Sequence, residues 1–216
     1  MARIGIFGGS FDPIHIGHLR AAEEVREALR LDRVRFVPAA VPPHKTDREL
    51  TDGRARLEMV KLAVADHPAF SASAMEIERG GTSYSVDTLS RLHEDEPDAA
   101  FFFIVGDDAF REIHTWKDCE RVFELASLVV VERPPRPLEP SIEHLPVAAQ
   151  NSFCYDPLTR SYRHQSGNGL HFLSTTAIDV SSTDLRQRFR ERRSVRYLVP
   201  DAVERYVREK ELYGAS

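Results

Sequence analysis

A short apolar strand, a glycine-bearing junction and an amphipathic helix follow one another at the start of this chain. Residues 3–7 are the strand, and Leu19, Ala22, Val25 and Leu29 share one face at helical spacing over residues 19–29. Between them runs Gly8-Gly9-Ser10-Phe11-Asp12-Pro13-Ile14-His15-Ile16-Gly17-His18. The pattern then repeats. Strands are expected at 34–37, 73–77, 99–105, 128–131 and 170–173, and helices at 54–65, 85–93 and 118–126. Residues 99–105 are continuously apolar, as in a strand covered on both faces of a parallel sheet. This alternation predicts the α/β class: a Rossmann-like, doubly wound parallel sheet with helices on both faces. Ser181 and Asp184 have capping-box spacing, and Pro200 opens a last helix through Glu211, so a small helical part follows residue 180. Proline-rich and polar, residues 133–169 read as a long surface excursion with little regular structure. The 216 residues fit one domain, with a core over 1–180 and a helical segment over 181–216.

In such sheets ligands bind beyond the carboxyl ends of the strands. Gly8-Gly9 and Gly106-Asp107-Asp108 should both face that crevice. Gly8, Gly9 and Ser10 read as a tight turn whose backbone N–H groups hold an anion at a helix N-terminus. His15 and His18 add side chains to that anion site, and Gly17 leaves a phosphate room to reach between the imidazoles. Neither G-x-G-x-x-G nor G-x-x-x-x-G-K-[ST] is present, so the chain carries no dinucleotide fingerprint and no P-loop.

Composition narrows the class further. Net charge is −5, so no global basic field draws nucleic acid, and an anionic ligand needs locally gathered cations. Cys119 and Cys154 lack C-x-x-C spacing and metal-like company, as reduced thiols do. Met1-Ala2-Arg3 runs straight into a strand, and no apolar run approaches the ~20 residues of a membrane span. A cytoplasmic protein without a membrane partner is expected.

The string Gly8-Gly9-Ser10-Phe11-Asp12-Pro13-x-His15-x-Gly17-His18 resembles the signature of the nucleotidyltransferase superfamily, whose H-x-G-H box is shared with class I aminoacyl-tRNA synthetases. Four further stretches resemble the bacterial nicotinate-nucleotide adenylyltransferases. They are Val41-Pro42-Pro43-His44-Lys45, the run from Gly81 to Leu89, Gly106-Asp107-Asp108 with Trp116, and Val180-Ser181-Ser182-Thr183-x-Leu185-Arg186. The likeness runs from residue 3 to about 207, in the family's order. It departs at Asp107, where the family has a small residue, so Asp108 is the aspartate carried over.

The resemblance implies that ATP and nicotinate mononucleotide give deamido-NAD and pyrophosphate. Adenylyl transfer needs no protein nucleophile, only position and countercharge. The implied catalytic residues are His15, His18, Lys45 and Arg186. His18 would stabilise the α-phosphate, His15 would orient the triphosphate, and Lys45 and Arg186 would neutralise phosphates from other sides. ATP-binding falls to Gly8, Gly9, Ser10, Phe11, Gly106, Asp108, Ser181, Ser182 and Thr183. The mononucleotide falls to Thr82, Tyr84, Ser85 and Trp116, the tryptophan stacking on the pyridine ring. Free N–H groups opening the helix at 85 would favour a carboxylate over an amide. Asp12 reads as a turn residue rather than a base. Mg²⁺ is expected with ATP, held mainly by phosphates and water, with no protein metal site. A homo-oligomer is compatible with this reading. Two rivals share the fold. One is phosphopantetheine adenylyltransferase, which is shorter, usually has Thr where His15 stands, and lacks the Pro-Pro-His-Lys and Gly-Thr-Ser-Tyr-Ser pieces. The other is a non-catalytic nucleotide sensor, which need not retain His15, His18 and Arg186 together.

Overall fold

A computed structural model describes residues 1–43, 50–131 and 140–215. Strand β1 (Ala2–Gly9) leads through a loop into helix α1 (Ile16–Ala28), then β2 (Arg33–Pro38), α2 (Gly53–Val64), β3 (Phe70–Ala72), α3 (Met75–Arg79) and α4 (Ser85–Asp95). Next come β4 (Ala99–Gly106), α5 (Asp107–Arg111), a 3₁₀ turn at Ile113–Thr115, α6 (Cys119–Leu125) and β5 (Ser127–Val131). The chain closes with α7 (Val147–Gln150), β6 (Phe153–Asp156), β7 (Ser161–His164), β8 (Gly169–Leu173), α8 (Ser182–Arg190), α9 (Asp201–Glu209) and a 3₁₀ turn at Leu212–Gly214.

The eight strands form one sheet in the order β3-β2-β1-β4-β5-β8-β7-β6. It is parallel from β3 to β8, and antiparallel from β8 through β7 to β6. The alternation of β-strand side chains divides the core in two. Phe7, Phe36, Phe102, Ile104 and Val129 face α1, α2, α8 and α9. Ile4, Ile6, Phe101, Phe103 and Val130 face α4, α5 and α6. That is the doubly wound arrangement the alternation predicts.

Local chemistry sets several boundaries. Asp52 caps α2, accepting from Arg54 N and Ala55 N. Ser181 caps α8, accepting from Asp184 N at 3.1 Å, as its spacing predicts. Pro200 stands immediately before α9, which ends at Glu209 rather than Glu211.

Three expectations are corrected. The strand expected at 73–77 is helix α3, and the strand lies just before it at Phe70–Ala72. Gly8 and Gly9 are not a turn. They end β1, paired with Val37 and Pro38, and the reversal comes later in the loop. The described part of the 133–169 excursion is ordered: β6 and β7 pair as a hairpin that extends the sheet beyond β8. Polar composition hides it because Cys154 and Tyr155 face solvent at the sheet edge while Phe153 and His164 pack inward.

Phe153 meets the Phe123 ring edge-on with centroids 5.0 Å apart, which ties the hairpin to α6. Phe153→Ala should therefore cost about 3 kcal/mol of stability in urea unfolding, the scale of emptying a core aromatic site. A cost near zero would mean the hairpin is only an appendage.

Candidate active site

Strand order reverses between β1 and β4, and their pairing ends at Phe7↔Ile104. Beyond that pair β1 continues to Gly9 and β4 to Gly106, and a crevice opens between them. A cleft of about 290 Å³ occupies it. Gly8, Gly9, Ser10 and Phe11 line one side, Gly106 and Asp108 another, and Ser181, Ser182, Thr183 and Arg186 a third, with His15 and His18 between. Every described residue expected for ATP or catalysis thus lines one cavity. Lys45 lies outside the described residues.

His15 is the N-cap residue of α1 and is 3% exposed. Its backbone N–H donates to His18 Nδ1 at 3.3 Å. That acceptor role places the His18 proton on Nε2, which is then a donor. The two rings stack with centroids 3.7 Å apart, so no phosphate passes between them, contrary to expectation. Gly17 serves a different purpose. A Cβ there would stand 3.0 Å from Val180 Cγ1 and 3.1 Å from His15 Nδ1, so glycine lets the His15 ring and the 175–180 segment close up. Likewise a Cβ on Gly9 would press on the Phe11 ring at 3.0 Å. Phe11 meets His18 edge-on at 5.1 Å and fixes its other side.

The loop beneath the histidines is held from distant parts of the chain. Asp12, 2% exposed, accepts from Tyr213 Oη at 2.6 Å and from Thr51 N at 3.3 Å. Its carbonyl accepts from Arg186 at 2.7 Å. Ser182 Oγ donates to the Pro13 carbonyl at 2.9 Å. Arg56, 1% exposed, donates to the carbonyls of Ser10, Ala40 and Thr51. Burial pulls the Arg56 guanidinium below its ordinary range, opposed by the nearby Asp12 charge. Burial, reinforced by Asp12, pushes the Tyr213 phenol well above its ordinary value. Asp12 is thus a buried hub. Arg56 and Tyr213 carry no motif signal; only the apolar company of Arg56 along α2 could have marked it.

Two smaller clefts adjoin the first. One, of about 230 Å³, shares Phe7, His15, His18, Gly106 and Ser181 with it and adds Ala21, Val131 and residues 175–180, of which only Val180 falls within a motif the sequence singles out. Glu24 on α1 anchors this segment by accepting from Thr176 N at 2.7 Å. The other, of about 170 Å³, is lined by Tyr84, Ser85 and Trp116 as expected, and by Glu112 and Lys117. Ala109 on α5 lines both this cleft and the first. Thr82 does not line it. It is exposed and pairs with Val41 in an isolated bridge. Trp116 stands edge-on to Phe103, centroids 6.1 Å apart.

Glu76 supports this third cleft from below, 6% exposed. It accepts from Thr88 Oγ1 at 2.6 Å, and Ser83 Oγ accepts from Ala40 N at 2.9 Å. Burial raises the Glu76 carboxyl above the ordinary 4.5, against the lowering effect of hydrogen bonds from Ser83 and Thr88. Among the described residues no group of three or more His, Cys, Asp or Glu could hold a metal ion, and no helix is long and apolar enough to cross a membrane.

The cytidylyltransferase-like family model matches residues 6–188. A "probable nicotinate-nucleotide adenylyltransferase" of Citrifermentans bemidjiense is 49% identical over 211 residues, covering 98% of this chain and 98% of its own. Its namesake in Geotalea daltonii is 47% identical over 212 residues, with the same coverage. The solved Plasmodium falciparum nicotinic acid mononucleotide adenylyltransferase complexed with NaAD superposes with a TM-score of 0.74. It covers 100% of this chain and 99% of that one at 16% identity, a likeness of fold. Sheet, crevice and family model define a nucleotidyltransferase of the cytidylyltransferase-like class. Within that class, the chain belongs to the nicotinate-nucleotide adenylyltransferase family.

The raised Glu76 carboxyl has a consequence for stability. The folded state holds this proton more tightly than the unfolded chain, so its stabilising contribution is complete below about pH 4.5 and is lost as pH rises through the folded value. Glu76→Gln keeps the shape and removes that slope. Compared with wild type, the variant should lose less stability between pH 4.5 and pH 8 in thermal unfolding; parallel curves would contradict a raised Glu76.

Proposed function

We propose that this chain transfers the adenylyl group of ATP to nicotinate mononucleotide, giving deamido-NAD and pyrophosphate. One observation carries the reading: the stacked His15–His18 pair lines two merging clefts at the switch point of the sheet, and the Trp116 cleft adjoins the first of them at Ala109. In this reading the adenosine occupies the cleft walled by Ala21, Val131 and residues 175–180. The phosphates lie in the histidine cleft, and the pyridine ring lies against Trp116. Ala109 then marks the seam across which the mononucleotide phosphate faces the α-phosphorus.

An oxygen of that phosphate attacks the α-phosphorus in line. A new P–O bond forms as the bond to the α,β-bridging oxygen breaks, and pyrophosphate leaves with the electron pair. No protein nucleophile takes part. His18, donating from Nε2, stabilises charge on the α-phosphate. His15 orients the triphosphate, and Arg186, Ser182, Thr183 and the backbone at Ser10 hold the outer phosphates. Lys45, outside the described residues, is assigned a further countercharge on the strength of the family resemblance. On the mononucleotide side, Tyr84 and Ser85 open α4, whose first N–H groups suit a carboxylate.

Magnesium enters with ATP and neutralises phosphate charge, bound mainly by phosphates and water. The residues present suit that mode. Among the described residues two carboxylates line the histidine cleft; Asp12 is engaged by Tyr213 and Thr51, leaving Asp108 as the side chain that would face the ion. We infer that the enzyme acts in the cytoplasm.

Incubation with ATP and Mg²⁺ plus nicotinate mononucleotide, nicotinamide mononucleotide or phosphopantetheine separates the alternatives. Pyrophosphate release is expected with the first; its absence there would refute the proposal. His18→Ala should lower kcat by about 10²-fold or more, the scale of one lost electrostatic stabiliser. Near-normal turnover would remove His18 from the mechanism.

A further inference from the structure

Lys117 directly follows Trp116 and lines the same cleft. Its Nζ donates to Asp87 Oδ1 at 2.9 Å and Oδ2 at 3.1 Å, and lies 5.0 Å from the centroid of Tyr84. Tyr84 is the N-cap residue of α4 and makes no side-chain capping bond. The ammonium is therefore pinned beside the helix N-terminus that faces the cleft, on top of the tyrosine that opens it. An ammonium has three donors, and Asp87 takes two.

The charges around it matter as much. Glu112 lines the cleft, and Asp87 stands on the first turn of α4. Without Lys117, a carboxylate on the pyridine ring would face Glu112 in the cleft with Asp87 uncompensated on the adjoining first turn of α4; with it, the carboxylate meets a cation and a helix N-terminus. A carboxamide, being uncharged, gains little from either. We propose that Lys117 is a specificity-determining residue, favouring a pyridine mononucleotide that carries a carboxylate over one that carries a carboxamide. The inference rests on the adenylyl-transfer reading above and adds to it the side chain that discriminates.

Trp116 is the sole tryptophan of the chain, so its fluorescence reports occupancy of this cleft directly. The full-length protein, Lys117→Met and Lys117→Arg would be titrated with nicotinate mononucleotide and with nicotinamide mononucleotide. KM and kcat would be measured in parallel by pyrophosphate release. Lys117→Met is expected to weaken binding of the acid and raise its KM about tenfold, the lower end for a charge-assisted contact with a partly exposed lysine. Binding of the amide, and the KM for ATP, should shift by less than about twofold on the same reasoning. Lys117→Arg should restore most of the acid's advantage. A Lys117→Met variant with the wild-type ratio between the two mononucleotides would overturn the inference and leave Lys117 as a surface ion pair with Asp87. If instead wild type released no pyrophosphate with either mononucleotide, adenylyl transfer itself would fail, while the fluorescence ratio would still decide the part played by Lys117.

Discussion

The buried carboxylate of Asp12 is the constraint on which the site depends. The loop from Ser10 to Ile14 joins a strand to a helix without regular structure, so its backbone groups need partners from elsewhere. Its carbonyls accept from Arg56, Ser182 and Arg186, and the Asp12 carboxylate accepts from Thr51 and Tyr213, some of them separated by most of the chain's length. A buried acid beside a buried guanidinium persists only when hydrogen bonds surround both, and here they do. The histidine pair inherits its position from this scaffold. His15 ends the loop, His18 is one turn into α1, and Ile16 N is tied to the Leu198 carbonyl of the C-terminal segment. The helical part after residue 180 is therefore one wall of the site rather than an appendage.

Charge is concentrated in the same way. The chain is acidic overall, yet Arg186 and the two imidazoles share one cleft, and Lys117 stands in the next. Local gathering of cations suits a polyphosphate ligand and gives no extended basic face. The short helix α5 organises the sequence of clefts. Asp108 belongs to the histidine cleft, Ala109 to both, and Glu112, just past the helix end, to the tryptophan cleft. Two bound nucleotides would thus be held on either side of a single helical turn, and in-line attack needs that closeness.

Much of this was legible in the sequence, for identifiable reasons. The continuously apolar strands announced a parallel sheet, and the Ser181 cap announced α8, whereas Gly17 reads as room for a phosphate and instead lets the His15 ring and residues 175–180 close up. What escaped was nonlocal. Residues 73–77 read as a strand, yet Met75 to Ile77 open α3, and Glu76 is buried where it accepts a hydrogen bond from Thr88, 12 residues away and beyond local reach. Gly8 and Gly9 looked like a turn because glycine suits turns, whereas β2 pairs with both. The hairpin at 153–164 has one solvent-facing side and reads as polar loop. Asp12 was read as a turn residue, which it is; that Tyr213 would cover it from the far end of the chain is a tertiary fact with no local signature.

The buried polar groups share one logic. At the ligand end of the sheet the strands diverge, and the space between them must stay open, so apolar side chains cannot fill it to fix the loops. Polar side chains reaching under the loops to backbone carbonyls and amides hold the walls without occupying the clefts. Arg56 does this for the histidine cleft, gripping three carbonyls. The chain formed by Glu76, Thr88 and Ser83 does it for the tryptophan cleft, ending on Ala40 N. Ala40 is the point of contact between them, since Arg56 takes its carbonyl and Ser83 its amide. The walls of the two clefts are therefore braced through opposite sides of one residue in the segment after β2, so the link between them runs through hydrogen bonds rather than packing.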